Sequence, residues 1–132
     1  RIKFFGRVTR KEILKKEKEA SLLLNIRNNS DEYTKYSFPS KMIEYMLSGT
    51  PLLTTRLSGI PDEYYDYVYS FNTQNTDEIA AYIDELLSNS ERLSNKGISA
   101  RNFVLENKNE KCQANKILTF LSENCSNEGS IH

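Results

Sequence analysis

The chain has 132 residues, the length of one ordinary domain, and carries 18 Lys and Arg against 18 Asp and Glu, for a formal net charge of zero. That balance argues against a dedicated nucleic-acid binder, which carries a basic excess, and no nucleic acid is expected as a partner. Hydrophobic residues make up 38% and aromatic residues 11%, enough for a core, but the apolar runs are too short to span a bilayer and no secretory leader is expected. Cys112, Cys125 and the terminal His132 have no metal-site spacing, so a zinc site built from Cys and His is not expected. With no leader and two cysteines, a reducing, cytoplasmic setting is the default.

In chain order, Ile2–Gly6 reads as a short buried strand that begins with no lead-in, as in a piece of a longer chain. Thr9-Arg10-Lys11-Glu12 has capping-box spacing and opens a helix to about Glu19. Ser21–Asn25 reads as a second strand, and a polar loop runs from Arg27 to Ser37. Pro39-Ser40 opens a helix that stops at Ser48-Gly49. Pro51–Thr55 is a third strand, Ser58–Pro61 a turn, and Tyr67–Phe71 a fourth strand.

The rest is helical. Thr76 is expected to cap a helix with Asp77 and Glu78 in its first turn, where carboxylates suit the dipole. Its apolar face is Ile79, Ala80, Ile83, Leu86 and Leu87. Ser90 is expected to cap the next, which carries Leu93, Ala100, Phe103 and Val104. Asn109 opens the last, with Cys112, Ile117, Leu118, Phe120 and Leu121. Those last four span a wide arc on the helical wheel, so part of that surface is expected to be exposed. Residues 126–132 are expected to be disordered.

Strands alternating with helices over short connections imply parallel pairing. Continuous apolar strands imply a sheet covered on both faces. The fold class is α/β: a doubly wound, mostly parallel sheet of about four strands, followed by three C-terminal helices. Such sheets bind ligands beyond the carboxyl ends of their strands. Here that edge comprises Gly6–Thr9, Asn25–Ser40 and Thr55–Pro61.

Charge is unevenly spread. Residues 1–20 hold eight basic and three acidic residues, and residues 62–91 hold eight acidic residues and no Lys or Arg. These are either two solvated faces or a basic end that attracts an anionic ligand or membrane surface.

The informative stretch is F-P-S-K-M-I-E-Y-M-L-S-G-T-P, residues 38–51. On a wheel, Met42, Ile43, Met46 and Leu47 form the arc that faces the sheet, opposite Lys41, Glu44, Tyr45 and Ser48. Ser40 and Lys41 stand at the helix start, where backbone N–H groups and the dipole favour an anion. Glu44, one turn in, suits neutral hydroxyls such as those of a ribose. Equally, Ser40 is a plain N-cap and Lys41 and Glu44 are solvated surface charges.

This run, with the L-L-T-T and G-I-P-D-E-Y that follow it and the F-F-G-R-V and S-L-L-L-N that precede it, resembles the C-terminal, donor-binding half of a GT-B glycosyltransferase. The likeness is to the group 1 (family 4) retaining enzymes, bacterial polysaccharide-biosynthesis type, and covers residues 1–124. It implies a nucleotide-sugar-binding, Rossmann-like domain over residues 1–125 that lacks its first segment. The implied donor is a nucleotide-diphosphate sugar, uridine-linked, used as substrate with no metal requirement. The implied acceptor is a polysaccharide or lipid-linked sugar. The acceptor domain would precede this segment in the same chain, peripheral association with the inner membrane is conceivable for the whole enzyme, and the isolated piece is expected to be inactive.

Residue by residue, the resemblance implies a donor site of Glu44, Ser40, Lys41, Pro39, Phe38, Tyr36, Gly6, Arg7 and Val8. Glu44 matches the second Glu of the family's E-x7-E pattern, which holds donor ribose hydroxyls. The first Glu falls at Tyr36, a departure that bears on the sugar side of the site. Phe38 and Pro39 stand where the family has Phe-Gly, and Ser40 and Lys41 match positions whose N–H groups approach the diphosphate. Gly6, Arg7 and Val8 match a loop near the base. No residue is assigned a catalytic role.

The remaining features read as structure. Tyr64, Tyr65, Tyr67 and Tyr69 are expected at a strand edge and short-helix surface rather than stacked on a ligand. Arg56 is taken as a surface charge, Asp62-Glu63 as helix capping, and Cys112 as a packed thiol. The alternative function class is a non-catalytic flavodoxin- or receiver-like interaction module. A receiver needs clustered Asp at its strand ends for a divalent cation, whereas strand ends here are Phe5-Gly6 and Leu24-Asn25.

Overall fold

The computed structural model describes residues 2–28 and 32–125. The helices are α1 (Arg10–Glu19), α2 (Lys41–Ser48), α3 (Thr76–Leu87), α4 (Ser90–Asn107) and α5 (Glu110–Cys125). The strands are β1 (Leu23–Asn25), β2 (Leu52–Thr55) and β3 (Tyr69–Phe71), with 3-10 turns at Glu32–Lys35 and Asp62–Tyr64. The sheet has order β1-β2-β3 and is wholly parallel, with Leu24 opposite Leu53 and Thr54 opposite Ser70.

The α/β class, parallel pairing and three C-terminal helices are as the sequence predicts, but the sheet has three strands rather than about four. Ile2–Gly6 forms no strand, with Ile2 and Phe4 99% and 93% exposed. An apolar run becomes a strand only where a neighbouring edge takes up its backbone N–H and C=O groups. Among the described residues no strand lies beside this one. The expected disordered tail, residues 126–132, lies outside the described residues.

Side chains of β2 alternate between the two faces of the sheet. Leu52 enters one core with Met42, Met46, Leu57, Ile60, Tyr64, Val68, Ala100, Phe103 and Val104. Leu53 enters the other with Tyr69, Phe71, Leu86 and Leu93. Helix α4 therefore serves both layers, Leu93 at its start and Phe103 near its end, which is the doubly covered sheet expected of continuous apolar strands.

The caps explain where the helices begin. Thr9 forms the expected box, its Oγ1 accepting from the Glu12 N–H while Glu12 accepts from the Thr9 N–H. Those hydrogen bonds, first to the backbone and then to the Thr9 hydroxyl, hold the Glu12 carboxyl below its ordinary range. Helices α3 and α4 are capped one residue earlier than expected, by Asn75 and Asn89 instead of Thr76 and Ser90. The Asn75 amide oxygen accepts from two N–H groups, those of Asp77 and Glu78, so the better-placed acceptor takes the cap. Asn109 accepts from the Cys112 N–H as expected.

Helix α2 is fixed by α4. Gly49 ends α2 in the left-handed region at φ +80, a conformation that glycine adopts freely. A Cβ on Gly97 of α4 would lie 2.1 Å from the Gly49 carbonyl oxygen, so the two backbones pass with no side chain between them. At the far end of α4, Lys108 pairs with Glu63 beneath the Tyr64 and Phe103 rings. Burial pulls the Lys108 ammonium down, but Glu63 and Tyr64 more than offset it and its pKa lies above the ordinary range.

Candidate functional site

Helix α2 starts at the carboxyl edge of the sheet, and its first residues line a cleft against α1. The cleft, of about 370 Å³, is walled by Arg10, Leu14 and Lys18 from α1 and by Ser40, Ile43, Glu44, Leu47 and Ser48 from the other side. Its mouth carries the ion pair Arg10 Nη2–Glu44 Oε2 at 3.0 Å. Ser40 is helical in backbone and its side chain makes no capping hydrogen bond. The N-cap reading of Ser40 is thereby corrected: the Met42 N–H bonds to the Pro39 carbonyl at 2.9 Å instead, and the Ser40 hydroxyl is exposed on the cleft.

The local sequence explains this geometry. Pro39 is buried and has no N–H to satisfy, so it enters the helix cheaply. Phe38 packs on the Tyr64 ring at 5.1 Å, which ties the loop to the core. Gly59 admits the same loop closely: a Cβ there would stand 2.7 Å from the Ser37 carbonyl oxygen. Tyr36 swings outward and is 86% exposed.

Of the residues expected at the site, Ser40 and Glu44 line one cleft, and Lys41 stands exposed between them at the helix start. Pro39 and Phe38 support that start from below. Gly6, Arg7 and Val8 lead directly into the Thr9 cap of α1, and hence into Arg10. Gly6 turns the chain at φ +62. Tyr36 is not among the residues that line the cleft.

Two cleft features were not legible beforehand. Leu47 was assigned to the sheet-facing arc, but it is exposed and forms the cleft wall. The buried stripe is Met42 and Met46, with Tyr45 and Ile43 packed at its borders. Arg10 appeared only as one of eight basic residues in the first twenty. Its partner lies 34 positions away, and no local pattern carries that pairing.

The other residues singled out are structural. Tyr65 Oη donates to the Leu57 carbonyl and accepts from the Leu57 N–H. Burial raises its pKa, against the pull of the Leu57 hydrogen bond. Tyr67 stacks on Phe103 at 4.2 Å. Arg56 pairs with Asp62 at 3.0 Å and lies over the Tyr65 ring. Asp62 and Glu63 are thus ion-pair partners of Arg56 and Lys108 rather than caps. The Cys112 thiol is half-buried and donates to the Glu106 carbonyl, so it is hydrogen-bonded rather than packed in an apolar core.

Among the described residues no three or more His, Cys, Asp or Glu are grouped to hold a metal. No helix among them is long and apolar enough to cross a membrane.

A family model described as "Glycosyl transferases group 1" matches residues 1–103, which include α1, the cleft and the whole sheet. The chain belongs to this family. Neither a curated protein nor a solved structure matches it. Membership of the group 1 glycosyltransferases supports a transferase whose function is glycosyl transfer. It also agrees with the Rossmann-like α/β architecture of the three-stranded sheet.

Proposed function

We propose that this group 1 glycosyltransferase segment is the donor-binding domain of a retaining, family 4-type enzyme. It would bind a uridine diphosphate sugar in the α1–α2 cleft for transfer to a polysaccharide or lipid-linked acceptor. The observation that carries the reading is the start of α2. It is not closed by a side-chain cap, it opens on a cleft, and it is flanked by Lys41 and Glu44. The Ser40-Lys41 end offers N–H groups, the positive end of the helix dipole and an ammonium, a set that suits a diphosphate. The same groups offset charge on the leaving diphosphate without a metal.

Glu44 stands one turn further along and accepts hydrogen bonds from ribose hydroxyls, while Arg10 holds one of its oxygens. Gly6, Arg7 and Val8 approach the base by virtue of their place before α1. Tyr36 takes the place of the family's first Glu at the sugar end. The acceptor domain belongs elsewhere in the same polypeptide, and the full enzyme works at the cytoplasmic face of a membrane.

Donor kinetics of the full-length enzyme test this. Glu44→Gln raises the donor KM, at about 1.5–3 kcal/mol for a hydrogen bond to a charged group. Lys41→Ala weakens the nucleoside diphosphate more than the bare nucleoside, and the difference shrinks in high salt. An unchanged donor KM in Glu44→Gln removes Glu44 from the site. Equal weakening of nucleoside and diphosphate in Lys41→Ala moves the diphosphate elsewhere.

A further inference from the structure

A second cavity opens at the other end of the sheet. It has a volume of about 580 Å³ and lies beside Tyr69, the first residue of β3, so it sits at the amino edge, away from the start of α2. It shares no residue with the α1–α2 cleft. Arg92 and Lys96 of α4 line it, together with Asp66 and Glu91.

The two cations here have no counter-charge in contact. Arg92 and Lys96 are one turn apart on a single helix, where like charges repel. Both gather over one ring: the Arg92 guanidinium lies 6.0 Å and the Lys96 ammonium 5.5 Å from the centre of Tyr69. Tyr69 is buried, and its hydroxyl donates to the Arg92 carbonyl at 3.4 Å, which holds ring and helix turn together. A ring face attracts a cation but carries no net charge. Elsewhere Arg10, Arg56 and Lys108 each meet a carboxylate. Among the described residues neither Arg92 nor Lys96 has one within ion-pair distance, although Asp66 and Glu91 share the cavity.

The polar groups beside the cations are set up as donors. Lys96 is half-buried and donates to the Asp66 main-chain carbonyl at 2.7 Å, a bond that fixes the ammonium and leaves its other hydrogens over. The Arg92 guanidinium presents a planar fork that matches two oxygens of one phosphate. The Asn89 side-chain oxygen accepts from the Arg92 N–H at 3.0 Å, which leaves its amide hydrogens at the cavity wall. A phosphate monoester carries close to two negative charges near neutral pH and so supplies what both cations lack, whereas a carboxylate would neutralise only one of them.

We propose that this cavity is a phosphate-binding site, separate from the donor cleft, in which Arg92 takes the phosphate by its fork and Lys96 as a point charge. The phosphate belongs either to a lipid headgroup or to a soluble phosphorylated compound, and the cavity leaves room for the group that carries it. Asp66 and Glu91 oppose the anion at longer range, so binding is confined to groups that touch both cations.

Calorimetric titration of the full-length enzyme with inorganic phosphate tests this, in the Lys41→Ala background so that phosphate held at the start of α2 does not contribute. Binding should be present and should weaken in high salt. Adding Arg92→Ala or Lys96→Ala should weaken it about tenfold each, the size of one hydrogen bond to a charged group, and adding both should abolish it. Glu91→Gln removes an opposing charge and should tighten it. If Lys96→Ala lowers the melting temperature through loss of its bond to Asp66, Arg92→Ala, which leaves that bond in place, decides. Cosedimentation with vesicles of phosphatidic acid in phosphatidylcholine separates the two sources: vesicle binding lost with Arg92 and Lys96 identifies a headgroup, and phosphate binding without vesicle binding identifies a soluble compound. Phosphate binding that survives removal of both cations overturns the proposal, as does the absence of both phosphate and vesicle binding. The donor site is judged apart from this, by the donor KM, which the Arg92 and Lys96 variants should leave at its wild-type value in an otherwise wild-type enzyme.

Discussion

The two flanks of α2 are built on opposite terms. Toward the sheet and α4, Met42 and Met46 are fully buried and Gly97 lets the α4 backbone touch the end of α2. Toward α1 the same helix presents Leu47 to solvent and closes with a single ion pair over a cleft. Only the first flank carries the cohesion of a close-packed core. The difference shows why an eight-residue helix can present polar groups at its start. Packing against α4 fixes its direction, so the groups on the open flank are placed without having to stabilise the fold.

That asymmetry is broken most strongly from the packed flank. Met46→Ala deletes a fully buried side chain from the core that joins α2, β2 and α4, and should cost about 2–5 kcal/mol in chemical denaturation. Donor KM should stay at the wild-type value, and only the maximal rate should fall with the folded fraction. Gly97→Ala comes next. Its propensity gain in a helix is about 1 kcal/mol, but the methyl would meet the Gly49 carbonyl at 2.1 Å, so a net loss of about 1–3 kcal/mol is expected from overpacking. A Gly97→Ala protein of wild-type stability would mean that α2 and α4 separate easily, and the contrast between the flanks would dissolve.

How much of this was legible in the sequence follows the same division. The packed flank was readable because periodicity reports burial: Met42, Met46, Ala100, Phe103 and Val104 were all placed on inward faces and are buried. The parallel sheet followed from alternation of short apolar runs with helices. What failed depends on partners remote in sequence. Ile2–Gly6 has strand composition, but a strand exists only by pairing. Leu47 shares the apolar arc of α2, but it lies at the border that meets α1 across the cleft, and the fit between two helices is not written in either one alone. The candidate site was half legible. Ser40, Lys41 and Glu44 are local in sequence and emerged from one motif, while Arg10 belongs to a charged helix whose pattern did not distinguish it from its solvated neighbours.

On the open flank the effects are smaller. Thr9→Ala removes the hydroxyl that accepts from the Glu12 N–H and donates to the Glu12 carboxylate at the start of α1 and should cost about 0.5–2 kcal/mol. Because Arg10 follows the cap directly, fraying of this first turn should raise the donor KM, which loss of folded protein alone would not do. A Thr9→Ala enzyme less stable but with unchanged KM would make α1 a mere cover for the sheet.

Arg10→Ala is expected to have the smallest effect on stability and is the sharpest probe of the comparison. The Arg10 side chain is 77% exposed, and exposed ion pairs contribute about 0–1 kcal/mol after side-chain entropy and solvent screening. The melting temperature should therefore hardly move, unlike that of Met46→Ala. At the site the consequence is larger in kind: Glu44 loses the group that orients it. The donor KM should rise while kcat stays close to wild type, the pattern of lost ground-state binding. The increase should diminish in high salt, where the wild-type pair is itself screened. Arg10→Lys restores the charge without the planar guanidinium, and its KM should fall between the two. If Arg10→Ala instead destabilises the protein as much as Met46→Ala does, the open flank contributes to cohesion after all.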